Sequence, residues 1–167
     1  IGKEYAISTN QIDLFMPMKF NLTYIDKDGK EKYVIVQHRA PLGSSERFVG
    51  FLTEHFAGNY PLWLSPLQVS IIPLGEKHME YADTIENEIR DLGLRVEVDR
   101  RNDTMQSKIR DAQMRKVPYM LILGDKEVAE NTISLRLRTG ENVGKMNKND
   151  FYTKAKDIYL TKGLQLW

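Results

Sequence analysis

The order of apolar runs between Gln68 and Leu123 constrains this chain more than any other feature. Gln68 to Leu74 is a short apolar run of strand length. The spacing then predicts a helix from about His78 to Leu92, with Ala82, Ile85, Ile89 and Leu92 on one face and Gly93 as its stop. Leu94 to Val98 reads as the next strand. A second helix, about Thr104 to Lys116, turns Met105, Ile109 and Ala112 inward. Pro118 ends it before Tyr119 to Leu123, a run apolar enough to be buried on both faces. Strands separated by helices call for long crossovers, hence parallel neighbours with right-handed connections. Ile133 to Leu137 predicts a late strand, and Asn147 a cap for a last helix carrying Phe151, Ala155 and Ile158.

The first third has another rhythm. Thr9, Gln11 and Asp13 alternate with Asn10, Ile12 and Leu14, a strand with one polar face. Asn21–Ile25 and Tyr33–His38 read as a hairpin around the polar turn Asp26 to Lys30. Phe48, Phe51, Leu52, His55 and Phe56 then recur at helical spacing, with Gly58 as a stop. The Phe48/Phe51/Phe56 stripe and Met105, Met114 and Met120 are expected in the core, and Trp63 and Tyr119 are expected to pack. Pro61 and Pro66 forbid a continuous helix across Asn59–Pro66, which makes that stretch the boundary candidate.

At 167 residues the chain has room for one domain or two small ones. Its 24 basic and 23 acidic side chains exclude a globally polycationic nucleic-acid coat but allow a local basic face. Arg95 to Lys116 supplies one candidate. Arg95, Arg100, Arg101, Lys108, Arg110, Arg115 and Lys116 there face only Glu97, Asp99, Asp103 and Asp111. Such a field attracts phosphates, and Lys108 is one residue that would contact one on this reading. With no cysteine, the chain can build no disulfide, thiolate nucleophile or Cys-ligated metal site of its own. No apolar run approaches membrane-span length, and no signal peptide is visible. The first residue is Ile rather than Met, which suggests a fragment or a processed product, and a cytoplasmic protein is expected from the absence of a span and a signal peptide.

The segment Gln37 to Phe48 reads as a strand end, a small-residue turn and a helix start. Gly43 and Ser44 let a flat ligand approach the backbone, and Arg47 can stack on a base or hold a phosphate. This string, QHRAPLGSSERF, resembles motif 3 of class II aminoacyl-tRNA synthetases, in detail that of the threonyl-tRNA synthetase family. Thr9-x-Gln11-x-Asp13 upstream and Glu54-His55-x-Ala57-Gly58 and Pro61-x-Trp63-Leu64-x-Pro66 downstream carry the resemblance further. So do Arg101-Asn102, Lys108-Ile109-Arg110, Val117 to Leu121 and Gly124 to Val128, which match the anticodon-binding domain of that family.

The resemblance implies an α/β architecture. Residues 1–63 would be an antiparallel β plus helix remnant of a class II catalytic domain. Residues 64–167 would be an anticodon-binding domain with a mixed, mainly parallel sheet flanked by helices. It implies an ATP-dependent ligation of threonine to its tRNA, in which this chain supplies motif 3 and anticodon recognition and is not competent alone. Arg47 matches the catalytic arginine that packs on the adenine of ATP, with Thr9, Gln11, Gly43 and Ser44 lining the adenylate pocket. Ala6 and Ile7 depart from the polar or sulfur-bearing residues usual there. His38 matches one of three zinc ligands, a Cys and two His in the family; the other two have no counterpart here. ATP with magnesium and zinc thus belong to the complete enzyme, and this chain is expected to bind none of them stably. Asn102, Arg110, Glu127 and Arg136 match positions that contact anticodon bases of threonine tRNA, where Arg, Glu and Asn can read unstacked Watson–Crick edges. An ion pair of Glu127 with Lys126 or Arg136 is the structural alternative. Threonine tRNA, threonine and ATP are the implied partners, with a homodimeric parent and no membrane. The rival expectation is a standalone tRNA-binding or accessory module derived from a synthetase C-terminus.

Overall fold

The structure, a computed structural model, describes residues 4–167. It divides into two compact units that part between His55 and Phe56.

The first unit contains β1 (Thr9–Asp13), α1 (Phe15–Lys19), β2 (Thr23–Ile25), β3 (Glu31–Tyr33), β4 (Val36–Ala40) and α2 (Ser45–His55). The expected hairpin is present but its second arm is displaced. β2 pairs with β3, whereas β4 leaves the hairpin and pairs antiparallel with β1. The turn decides this: Asp26 N–H donates to Lys30 O (2.9 Å) and Gly29 takes φ +74°, which sets Ile25 opposite Glu31. Val34 N–H donates to Leu22 O (3.1 Å) and carries the same register one residue further. Helix α1 was not foreseen, because Pro17 sits inside it. Proline is tolerated in a first turn, where N–H groups lack helical partners. Asp13 Oδ1 accepts the two N–H groups ahead of it, from Phe15 (3.0 Å) and Met16 (2.9 Å). Among the described residues of this unit only Pro17 is fully buried. Phe48 and Phe51 are therefore half-buried rather than core.

The second unit, Phe56–Trp167, holds β5 (Val69–Pro73), a 3-10 turn (Glu76–His78), α3 (Met79–Asp91), β6 (Val96–Val98), α4 (Met105–Met114) and β7 (Tyr119–Leu123). It continues with α5 (Asp125–Glu130), β8 (Thr132–Leu137), β9 (Asn142–Asn147) and α6 (Lys148–Leu160). The sheet order is β6-β5-β7-β8-β9. β5 lies parallel to β6 and β7, while β8 is antiparallel to both neighbours, so β8 alone runs against the rest. Helices lie on both faces. Ala82, Ile85 and Ile89 of α3 and Phe151 and Ala155 of α6 share one core with Val69, Ile71, Leu121 and Leu135. Ile109 and Ala112 of α4 close a smaller core with Ile72 and Met120. Tyr119 is fully buried, as expected, and donates to Leu166 O.

Segment 56–66 is fastened to this unit by polar staples. Arg138 donates to the carbonyls of Tyr60 (2.6 Å) and Asn59 (2.9 Å), and Gln68 Nε2 to Leu62 O (2.7 Å). Phe56 is only half-buried. Of the three methionines expected inside, Met120 is core and Met105 packs at its edge, but Met114 is 74% exposed at the last turn of α4. Its position falls outside the stripe that Ile109 and Ala112 define.

Candidate nucleic-acid interface

In the first unit, Gln11 lies opposite His38 and Thr9 opposite Ala40. Residues directly opposite in an antiparallel pair share a face, so Thr9, Gln11, Asp13 and His38 stand on one side of the β1–β4 ribbon. All but Asp13 are exposed. His38 Nε2 lies 3.3 Å from Asp13 Oδ2. Bonds from the Met16 backbone, then His38, hold the Asp13 carboxyl below its ordinary range. Here the carboxylate caps α1, with the His38 imidazole beside it. No cluster of three metal-ligating side chains occurs among the described residues, and one imidazole cannot hold zinc.

The turn into α2 takes Gly43 to φ +66°, and Ser44 Oγ caps the helix by accepting Arg47 N–H (3.2 Å). Arg47 lines a cavity of about 180 Å³ together with Tyr5, Ala6, Ile7, Phe48 and Phe51. Leu42 and Glu54 complete the lining, so the largely apolar walls that suit a flat aromatic ring carry one guanidinium and one carboxylate. The departures at Ala6 and Ile7 thus sit in the wall that Arg47 shares.

In the second unit most cations of the basic stretch are engaged from within, three by carboxylates and three by backbone carbonyls. Arg95 donates to the carbonyls of Trp63, Ser65 and Pro66. Arg100 pairs with Asp83 and Glu86, Arg101 with Asp99 and Asp111, and Arg115 with Glu97. Lys116 donates to Ala57 O. Lys108 does not meet the condition for a phosphate contact. It is 5% exposed, and its Nζ donates to Pro73 O (3.3 Å) and Asp99 O (3.1 Å), at the ends of β5 and β6. Of the seven cations, only Arg110 finds no partner among the described residues.

Asn102 is exposed in the loop between β6 and α4. Glu127 makes neither of the ion pairs weighed for it. Its Oε2 accepts Gly124 N–H (2.9 Å) as an N-terminal cap of α5, and its Oε1 accepts Ser134 Oγ–H (2.8 Å). Burial pushes this carboxyl up, but the bonds from Ser134 and Gly124 outweigh it and leave Glu127 below the ordinary carboxylate value. It is therefore ionised, an acceptor only. Arg136 stands on β8 opposite Met120 and Asn142, and its buried Nε has no hydrogen-bond partner. Ser134, two residues before Arg136 on the same face, was not singled out by sequence. The alternation of Thr132 to Leu137 was the signal that could have found it.

A family model described as an anticodon binding domain matches residues 68–158. The chain belongs to the anticodon-binding domain family. All four residues expected at the anticodon fall within the matched span. The chain is 44% identical over 165 residues to the threonine–tRNA ligase of Thermus thermophilus, covering 99% of this chain and 25% of that protein. It is 46% identical over 166 residues to the enzyme of the same name from Thermotoga petrophila, covering 99% and 26%. It therefore spans about a quarter of the length of these curated relatives. Among solved structures, the RNA binding domain of threonyl-tRNA synthetase from Cryptosporidium parvum matches with a TM-score of 0.76 at 33% identity, over 93% of this chain and 40% of that one. No helix among the described residues is long and apolar enough to cross a membrane.

Proposed function

We propose that this chain is the C-terminal part of a threonine–tRNA ligase and that its second unit reads the anticodon loop of threonine tRNA. On this reading, residues 1–63 end a class II catalytic domain and 64–167 form the anticodon-binding domain. One observation carries it. Within the span that matches the anticodon-binding family, Arg110 and the buried Nε of Arg136 are left without partners while the neighbouring cations are bonded to carboxylates or backbone carbonyls. A guanidinium can offer paired donors to base acceptors, Glu127 can accept from a base amine or imide, and Asn102 can do both.

The parent reaction would be activation of threonine by ATP and transfer of threonine to the terminal ribose of the tRNA. Arg47 would pack on the adenine, with Thr9, Gln11, Gly43 and Ser44 around the adenylate. Magnesium and zinc would be held by the complete enzyme, as a cytoplasmic homodimer, and His38 would join a zinc site only with ligands from outside this chain. Alone, the 167 residues should bind tRNA and fail at threonine-dependent pyrophosphate–ATP exchange.

The test is filter binding of the chain to threonine tRNA and to an anticodon-swapped copy at several salt concentrations. A clear preference for the native anticodon is expected. Equal and steeply salt-dependent binding to both would refute the reading.

A further inference from the structure

The strand face that carries Arg136 also carries Ser134. Side chains alternate along β8, so Ile133, Leu135 and Leu137 enter the core while Thr132, Ser134 and Arg136 stand together on the other side. Ser134 lies opposite Ile122 on β7 and Lys145 on β9, in the middle of that face, and is half-buried. Its hydroxyl donates to Glu127 Oε1 at 2.8 Å, while Gly124 N–H occupies Oε2 at 2.9 Å. Two donors on two oxygens fix both the position and the plane of the carboxylate. Each oxygen keeps a second lone pair. Without Ser134, the Gly124 bond alone would leave the group free to turn about a single contact.

The backbone is shaped for the same arrangement. A side chain at Gly124 would place its Cβ 3.1 Å from Glu127 Oε2 and 2.9 Å from Leu74 Cδ1, so the residue that donates to the carboxylate also has to make room for it.

We propose that Ser134 is a positioning residue for anticodon recognition: its hydroxyl holds the Glu127 carboxylate so that the remaining lone pairs accept from the amino or imino N–H of one unpaired base. This rests on the anticodon reading above. Glu127 touches the base, and Ser134 acts through it. Because the carboxylate is ionised and accepts only, a base offering an acceptor at that position would meet repulsion.

The test compares the 167-residue chain with its Ser134→Ala and Ser134→Thr variants. Each is titrated with the anticodon stem–loop of threonine tRNA and with copies changed at one anticodon base, and its thermal midpoint is recorded. Ser134→Ala should lose roughly tenfold of discrimination at one anticodon position, in line with a hydrogen bond to a charged group. Binding to the stem–loop changed at that position should stay the same. Ser134→Thr, which keeps the hydroxyl, should restore the wild-type ratio. Unchanged discrimination in Ser134→Ala would overturn the proposal. So would equal weakening toward all stem–loops with a lowered midpoint, the signature of a merely structural serine. If the wild-type chain itself does not distinguish the stem–loops, the anticodon reading falls first and the role of Ser134 with it.

Discussion

Replacing Lys108 by methionine removes an ammonium group from a place where solvent barely reaches. Lys108 is 5% exposed, and its Nζ bridges Pro73 O and Asp99 O, joining the ends of two parallel strands to helix α4. A hydrogen bond from a charged donor contributes about 1.5–3 kcal/mol net. Relief from burying the ammonium offsets part of that loss, since a well-packed apolar replacement can recover much of what a buried charge costs. Methionine keeps most of the stem volume, so little packing is lost. The sum is a destabilisation of about 2 kcal/mol. For a unit of this size that is a fall in midpoint of roughly 8 °C. Both tryptophans, Trp63 and Trp167, lie in the second unit, so tryptophan fluorescence during thermal or urea unfolding reports on that unit alone. tRNA binding by the folded variant should keep the wild-type salt dependence. An unchanged midpoint together with a salt slope reduced by about one would refute the reasoning, because that is the behaviour of a lysine on a phosphate.

Three further outcomes follow from the same geometry. Arg136→Ala should weaken binding to threonine tRNA by about 1–3 kcal/mol and blunt discrimination at one anticodon base, read by titration against swapped anticodons. The side chain of Asp99 is held below its ordinary carboxylate pKa chiefly by bonds from Arg101. A depressed folded pKa gives stability that is present above the unfolded value of 3.8 and lost as pH falls through the folded one. Asp99→Asn should therefore flatten the acid limb of the midpoint-versus-pH curve below about pH 4; an unaltered limb would assign that loss elsewhere. Asn147 Oδ1 caps α6 by accepting Asn149 N–H at 2.9 Å, and Asn147→Ala should cost about 1 kcal/mol in urea unfolding.

What sequence could show depended on how far the deciding interactions reached. The strands and helices from Val69 to Leu123 were legible because their apolar residues repeat strongly and Gly93 and Pro118 mark the stops. Helix α5 and strand β9 were not. α5 has six residues and no buried side chain, and β9 is polar and broken by Gly144 at φ +94°. The displaced arm of the hairpin depended on a register that the hydrogen bonds of one turn select. Lys108 was misread because charge was weighed before position. It belongs with Met105, Ile109 and Ala112 on the inward stripe of α4, where a cation has to find carbonyls rather than solvent. Arg110, one residue further round, escapes that stripe and remains exposed. The bonds that Glu127 makes to Gly124 and Ser134 needed the coordinates, since seven residues and a change of element separate it from the serine.

The internal bonding of the basic stretch has a kinetic consequence. Every tRNA carries the same phosphate backbone, and a domain with seven free cations would cling to all of them through counterion release. Here Arg100, Arg101 and Arg115 are matched by carboxylates, and Arg95, Lys108 and Lys116 donate to carbonyl oxygens. On the anticodon-reading proposal, cations tied down inside the domain grip the backbone of a noncognate tRNA less than free ones would, and it leaves sooner. Dwell time then depends on the few groups that can match a base. In a cell where competing tRNAs outnumber the right one, such a reader spends less of its time occupied by the wrong partner.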